Sequence, residues 1–199
     1  CAGVRRPADA ASAARRRHLA VSESLHGDGF RLRRATDEDA DFLLDLSGHE
    51  DVEPFLRAVR ATDRQELLEE IDRSLAEPQE SGRFVIEVEE DGDWRPAGVM
   101  GFDLANRRNR IANLGGLAVH PDFRGRRLAD DAARLFQRHL LLDLDFHRLQ
   151  VEIYGFNERA IQHAERSGFI REGVKRKAYW RHGEWVDGVL FALVREDLD

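Results

Sequence analysis

The residues best placed to do chemistry fall in one run, Leu117-Ala118-Val119-His120-Pro121-Asp122-Phe123-Arg124-Gly125-Arg126-Arg127-Leu128-Ala129. An apolar, strand-like stretch ends at Pro121, a short basic turn with one glycine follows, and an amphipathic helix then begins. The first turn of a helix carries backbone N–H groups with no intrahelical partner and the positive end of the helix dipole. Such a turn suits a phosphate or a pyrophosphate. Arg124, Arg126 and Arg127 add guanidinium forks that match phosphate oxygens. A solvated basic connection from strand to helix accounts for the same residues.

A second polar segment lies downstream, Asn157-Glu158-Arg159-Ala160-Ile161 followed by Ser167-Gly168-Phe169. Together the two segments resemble the GNAT N-acetyltransferase family, whose loop reads Gln/Arg-x-x-Gly-x-Gly/Ala and whose later segment reads Asn-x-x-Ala-Ile…Gly-Phe. Arg124 supplies the first loop position and Ala129 the last, but Arg127 stands where the family carries its middle glycine. Glycine there allows close approach of the backbone to a ligand, so Arg127 either crowds the loop or needs a different local dihedral. The likeness runs from about Phe30 to the C-terminus. Gly183…Asp187 and the long segment leading to them resemble the subgroup of ribosomal-protein N-terminal acetyltransferases.

The resemblance implies acetyl-coenzyme A as co-substrate and no metal. Its pyrophosphate would rest on the amides of Arg124, Gly125, Arg126, Arg127, Leu128 and Ala129. Its thioester carbonyl would face an N–H of Leu117, Ala118 or Val119, a small oxyanion hole, in an opening between the fourth and fifth strands. A primary amine then attacks directly; a protein N-terminus, a polyamine or a small amine all qualify. The alternative is a non-catalytic acyl-coenzyme A-binding regulatory module on the same fold. Arg127, Ala160 and Ala164 motivate it, the last two standing where relatives carry a serine or a tyrosine proton donor.

An alkylammonium has a pKa near ~10, so transfer needs a proton acceptor. Glu152 is the candidate base: alternation puts it on one strand face with Gln150 and Tyr154, opposite Leu149, Val151 and Ile153. A solvated or ion-paired strand residue is the competing account. Asn113 occupies the position where many relatives carry a glutamate and cannot act as a base. By resemblance Asn157 would hydrogen-bond the pantetheine arm or orient a water, and it also reads as a helix N-cap. Tyr154 and Tyr179 could replace the missing proton donor or serve as half-buried structural residues. No histidine is assigned a catalytic role: none shows the i, i+4 ligand spacing of a metal helix, and His163 and His182 read as exposed.

The composition bounds the rest. A chain of 199 residues with 42% hydrophobic and 35% charged content is one globular domain, not a disordered one. Cys1 is the lone cysteine, which excludes an internal disulfide framework and favours the cytoplasm. No apolar run approaches the ~20 residues that span a bilayer. The net charge is −7; residues 1–24 hold five Arg against Asp9 and Glu23, a balance of +3, which leaves −10 on the remainder. That acidic body disfavours nucleic acid and suits a cationic acceptor.

Residues 1–26 read as a basic flexible tail and 27–199 as a single domain. Strands are expected at 30–33, 84–88, 96–104, 111–119 and 147–154, with Gly115-Gly116 marking a bulge. Helices are expected after Thr36, over 63–76, from the basic loop to about 142, and over 158–166. Glu53, Phe55 and Arg57 lie in a region that overhangs the acceptor site in the family. Strands at 169–179 and 184–194 form a C-terminal hairpin whose turn is flanked by Trp180 and Trp185; the two rings stiffen the hairpin as a cross-strand pair, with a homodimer contact or the far wall of the acceptor pocket as the alternatives. The expected fold is α/β: a mixed sheet of six or seven strands with helices on both faces.

Overall fold

Apolar residues alternate with polar ones in the strands and recur every three or four residues in the helices, and the elements form where that patterning places them. The structure, a computed structural model, describes residues 24–56 and 63–198. Strands β1 (Leu25–His26) and β2 (Phe30–Arg34) precede helices α1 (Ala40–Gly48) and α2 (Arg64–Ala76). Strands β3 (Ser81–Glu90), β4 (Asp93–Asn106) and β5 (Ile111–Val119) follow as a meander. Helix α3 (Leu128–Arg138), strand β6 (Arg148–Tyr154) and helix α4 (Glu158–Arg166) lead to the hairpin β7 (Ile170–Arg181) and β8 (Glu184–Val194). Among the described residues, no helix is long and apolar enough to cross a membrane.

The strands make one sheet in the order β1-β2-β3-β4-β5-β6-β8-β7. Both faces are covered, which is why β3 reads as the continuous apolar run Phe84-Val85-Ile86. Phe84 and Ile86 join one core under α3 and α4; Val85 joins Val99 in a second core under α1 and α2. Phe136 of α3 is fully buried in the first, with its ring centroid 5.0 Å from that of Phe84. In the first helical turn, Asp39 caps back onto the Thr36 N–H at 2.8 Å, and Asp63 accepts from the Glu66 N–H at 2.9 Å.

The pairing of β5 with β6 positions the site. Every other neighbouring pair is antiparallel, whereas β5 and β6 run parallel and pair only from Ile111↔Arg148 to Asn113↔Gln150. Beyond Asn113 the two strands part, and the backbone of β5 lies open on its β6 side. A bulge falls at the glycine pair as expected: Val99 and Gly101 of β4 face Ala118 and Gly115 of β5, with Gly116 at φ +68.

Three expectations need correcting. Among the described residues the sheet has eight strands instead of six or seven, because Leu25 and His26 pair with Leu32 and Arg31. Those two residues therefore belong to the sheet and not to a tail ending at 26, whereas residues 1–23 lie outside the described residues. The long helix stops at Arg138 and continues as a wider π turn over His139–Asp143. Buried Leu140 and Leu141 keep that turn against the core.

Candidate active site

The parting strands open onto a cavity of about 1020 Å³ that continues to the N-terminus of α3 and the side of α4. Residues 117–119, 124, 125 and 127–129 line it together with Glu152 and Asn157. The structure thus gathers residues that the sequence separates by up to forty positions. Arg126 is not part of the lining; its guanidinium sits 3.3 Å from Glu90.

At the loop end, the main chain supplies the donors. Among the described residues, the N–H groups of residues 125–129 have no hydrogen-bond partner, while the Arg127 carbonyl accepts from both Asp130 and Asp131. Gly125 takes φ +84 with open space where a side chain would stand. Arg127 adopts the left-handed conformation (φ 56, ψ 10) and caps α3. Thus the arginine in place of glycine keeps the glycine-like dihedral and accepts the strain, roughly 1 kcal/mol. Arg124 spends its side chain internally: Nε donates to the Val119 carbonyl at 3.2 Å, and its other end pairs with Asp51 at 2.9 Å. Arg124 and Arg126 therefore tie the loop down, and Arg127 is the loop arginine that faces the cavity without an ion pair among the described residues.

His163, expected to be exposed, is largely buried and locks α3 to α4. Its Nδ1 lies 2.6 Å from Asp130, and Arg166 donates to the same carboxylate at 3.1 Å. The Arg166 hydrogen bond, assisted by His163, holds the Asp130 carboxyl below its usual range. Burial pushes the His163 imidazole down, against the pull of Asp130. Asp130 therefore brings little uncompensated negative charge to the anion-friendly helix start.

The other end is built from side chains. Alternation along β6 holds: Leu149 and Ile153 enter the core under α3, and Glu152 and Tyr154 lie on the opposite face. The Glu152 carboxylate is nearly enclosed, accepting from the Tyr179 hydroxyl at 2.6 Å and from Lys175 at 2.8 Å. Tyr154 is buried, and its hydroxyl accepts from Arg181 Nε at 2.7 Å. Arg181 also donates to the Leu56 carbonyl at 3.1 Å, joining the hairpin to the α1–α2 connection. Half-exposed Phe55 and Phe156 meet there with centroids 6.1 Å apart. Phe55 lines the cavity, Glu53 does not, and Arg57 lies outside the described residues.

Asn157 is the N-cap of α4, its Oδ1 accepting from the Ala160 N–H at 3.1 Å. Its carbonyl is thereby used, and its amide nitrogen has no partner among the described residues. Ala160 and Ala164 also line the cavity and offer no proton. Asn113 accepts from Gln150 at 2.7 Å, bridging the last paired rung of β5 and β6. Sequence reasoning missed Lys175 and Tyr179 as partners of Glu152. The available signal was that both lysines of the chain, Lys175 and Lys177, fall within three residues of each other.

Residues 30–170 match the family model described as an acetyltransferase (GNAT) domain. A curated relative, the SPbeta prophage-derived uncharacterized N-acetyltransferase YokL of Bacillus subtilis, is 31% identical over 83 residues. That match covers 42% of this chain and 47% of the relative, so the chain spans about half the length of the curated relative it matches. The crystal structure of a spermidine N-acetyltransferase from Vibrio cholerae with CoA and spermine has the same fold, with a TM-score of 0.77 at 17% identity. It covers 86% of this chain and 99% of its own. RimL, a ribosomal L7/L12 alpha-N-protein acetyltransferase in complex with coenzyme A, superposes with a TM-score of 0.74 at 18% identity, covering 89% and 100%.

Proposed function

The chain belongs to the family of GNAT acetyltransferase domains, and on that premise we propose that it transfers the acetyl group of acetyl-coenzyme A to a primary amine. The observation that carries this reading is the row of N–H groups at residues 125–129, without a partner among the described residues and opening into the cavity between the parted strands. Five main-chain donors at a helix N-terminus suit a diphosphate, and the open space at Gly125 leaves room for its approach. Residues 124–129 would hold the coenzyme, which supplies an activated acetyl thioester. Asn157 offers its free amide nitrogen to the pantetheine arm or to a water beside it.

Along β5 past Asn113, main-chain groups on the β6 side are free of strand pairing. An N–H in the Leu117–Val119 stretch is the donor for the carbonyl oxygen as negative charge develops there. The acceptor nitrogen attacks the carbonyl carbon, the C–N bond forms as the C–S bond breaks, and sulfur leaves as thiolate. Glu152, whose carboxylate accepts from Tyr179 and Lys175, takes the ammonium proton through water. With Ala160 and Ala164 at the donor positions, solvent protonates the thiolate.

The acceptor is a monoamine or a peptide N-terminus more readily than a polyamine. Two of the carboxylates lining the cavity, Asp51 and Glu152, are each already paired with a cation. The test mixes the protein, acetyl-coenzyme A and a panel of amines and titrates free thiol. Amine-dependent release is expected. Tight coenzyme binding with no release from any amine would identify a non-catalytic binding module instead.

A further inference from the structure

Lys175 and Tyr179 stand four residues apart on β7, yet both reach one carboxylate on β6, two strands away. Two features make this possible. First, β7 bulges: Lys175 is opposite Gly188 and Tyr179 opposite Val186, so four residues of β7 span what β8 covers in two. The extra residues draw Lys175 and Tyr179 together on the same face. Lys177 holds the bulge in the left-handed conformation at φ 50, and its N–H donates to Asp187 Oδ1 at 2.7 Å. Second, the strand lying between is flat at the crossing point. Glu152 passes over Gly188, where an added Cβ would collide with its Oε1 and crowd the Tyr179 ring.

A bulge with a non-glycine residue at positive φ carries strain, and bulges of this kind collect beside active sites. Here it costs backbone regularity and serves to converge two donors on a carboxylate whose side chain is only 10% exposed. We propose that Lys175 and Tyr179 are positioning residues, held by the Asp187-braced bulge, that orient and keep anionic the Glu152 carboxylate for proton uptake. The proposal rests on the reading of Glu152 as the base. Lys175 supplies the charge that offsets enclosure of the carboxylate, and the Tyr179 hydroxyl sets its plane. Neither residue lines the cavity, so neither touches the acceptor.

The experiment compares Lys175→Met, Lys175→Arg, Tyr179→Phe and Gly188→Ala with Glu152→Gln in the full chain, measuring kcat, KM for coenzyme and coenzyme binding by calorimetry. Glu152→Gln is expected to lower kcat about 100-fold. Lys175→Met and Tyr179→Phe should each lower kcat about tenfold with coenzyme affinity unchanged, and Lys175→Arg should recover activity to within about threefold of the parent. Retained coenzyme binding certifies the fold of each variant, and Gly188→Ala, which displaces the carboxylate without removing a partner, repeats the kcat loss. If Glu152→Gln is slow while Lys175→Met, Tyr179→Phe and Gly188→Ala all turn over at the parent rate, the positioning role is wrong and the base survives. If Glu152→Gln is fully active, the base assignment itself fails and the positioning role with it.

Discussion

The two ends of the cavity are made of different material. At the coenzyme end, five consecutive N–H groups of residues 125–129 form the candidate grip, and the side chains of Arg124 and Arg126 turn away to Asp51 and Glu90. At the proposed acceptor end, the candidate groups are side chains from β6 and β7 that meet across β8. Main-chain donors are indifferent to which residue carries them, so the loop tolerates an arginine at the glycine position as long as the left-handed dihedral is kept. A carboxylate held by a lysine and a tyrosine has no such tolerance. Substitutions should therefore fall on turnover at one end and on binding or stability at the other.

The largest effect is expected from Glu152→Gln, a fall of about 100-fold in kcat with coenzyme affinity intact. Thiol release and calorimetry on the same sample check it, and a matching loss of coenzyme affinity would erase the distinction between the two ends. Asn157 lies at their junction and separates its two duties by substitution. Asn157→Ala should cost about 1 kcal/mol of stability as the cap is lost and lower turnover about tenfold. Asn157→Asp keeps the cap oxygen, so it should hold stability in urea titrations yet share the turnover loss. Equal activity in both would leave Asn157 as a cap alone.

At the loop end, Arg127→Gly should stabilise the fold by roughly 1 kcal/mol by relieving the left-handed arginine, with coenzyme affinity similar or tighter. A large loss of affinity would show that the Arg127 guanidinium contacts phosphate directly. The smallest effect concerns His163, beneath the same loop and facing Asp130, Arg166 and Arg159. Its pKa is lowered from 6.5, first by burial. The unfolded chain therefore binds this proton more readily than the fold does, so stability is present above 6.5 and declines as pH falls below it. Buried His139 is lowered in the same way, also by burial, and adds to the same decline. His163→Gln should flatten part of that slope in urea titrations at a series of pH values.

Much of this architecture was legible along the chain. Alternation placed β2 and β6, the apolar run Phe84-Val85-Ile86 placed β3, and the stripe of Leu128, Ala132 and Phe136 placed α3 on the sheet. The glycine pair at 115–116 announced its bulge. The anion-ready loop was visible because helix start, glycine and basic residues are neighbours in sequence. Other features carried no such mark. Leu25–His26 is two residues of strand, too short for any period. His163 looked solvent-facing because its partner Asp130 lies on another helix.

Sequence alone determined helices α1 to α4, strands β2 to β8 and the loop with its upturned amides, since each follows from hydrogen bonding and patterning within about a dozen neighbouring residues. Tertiary structure alone decided where Glu152 points. Alternation assigns a side chain to a face, but its contacts there depend on the register of β8, the bulge of β7 and the missing Cβ at Gly188. The same holds for the parting of β5 from β6 after three paired rungs, which creates the opening through which the two ends communicate.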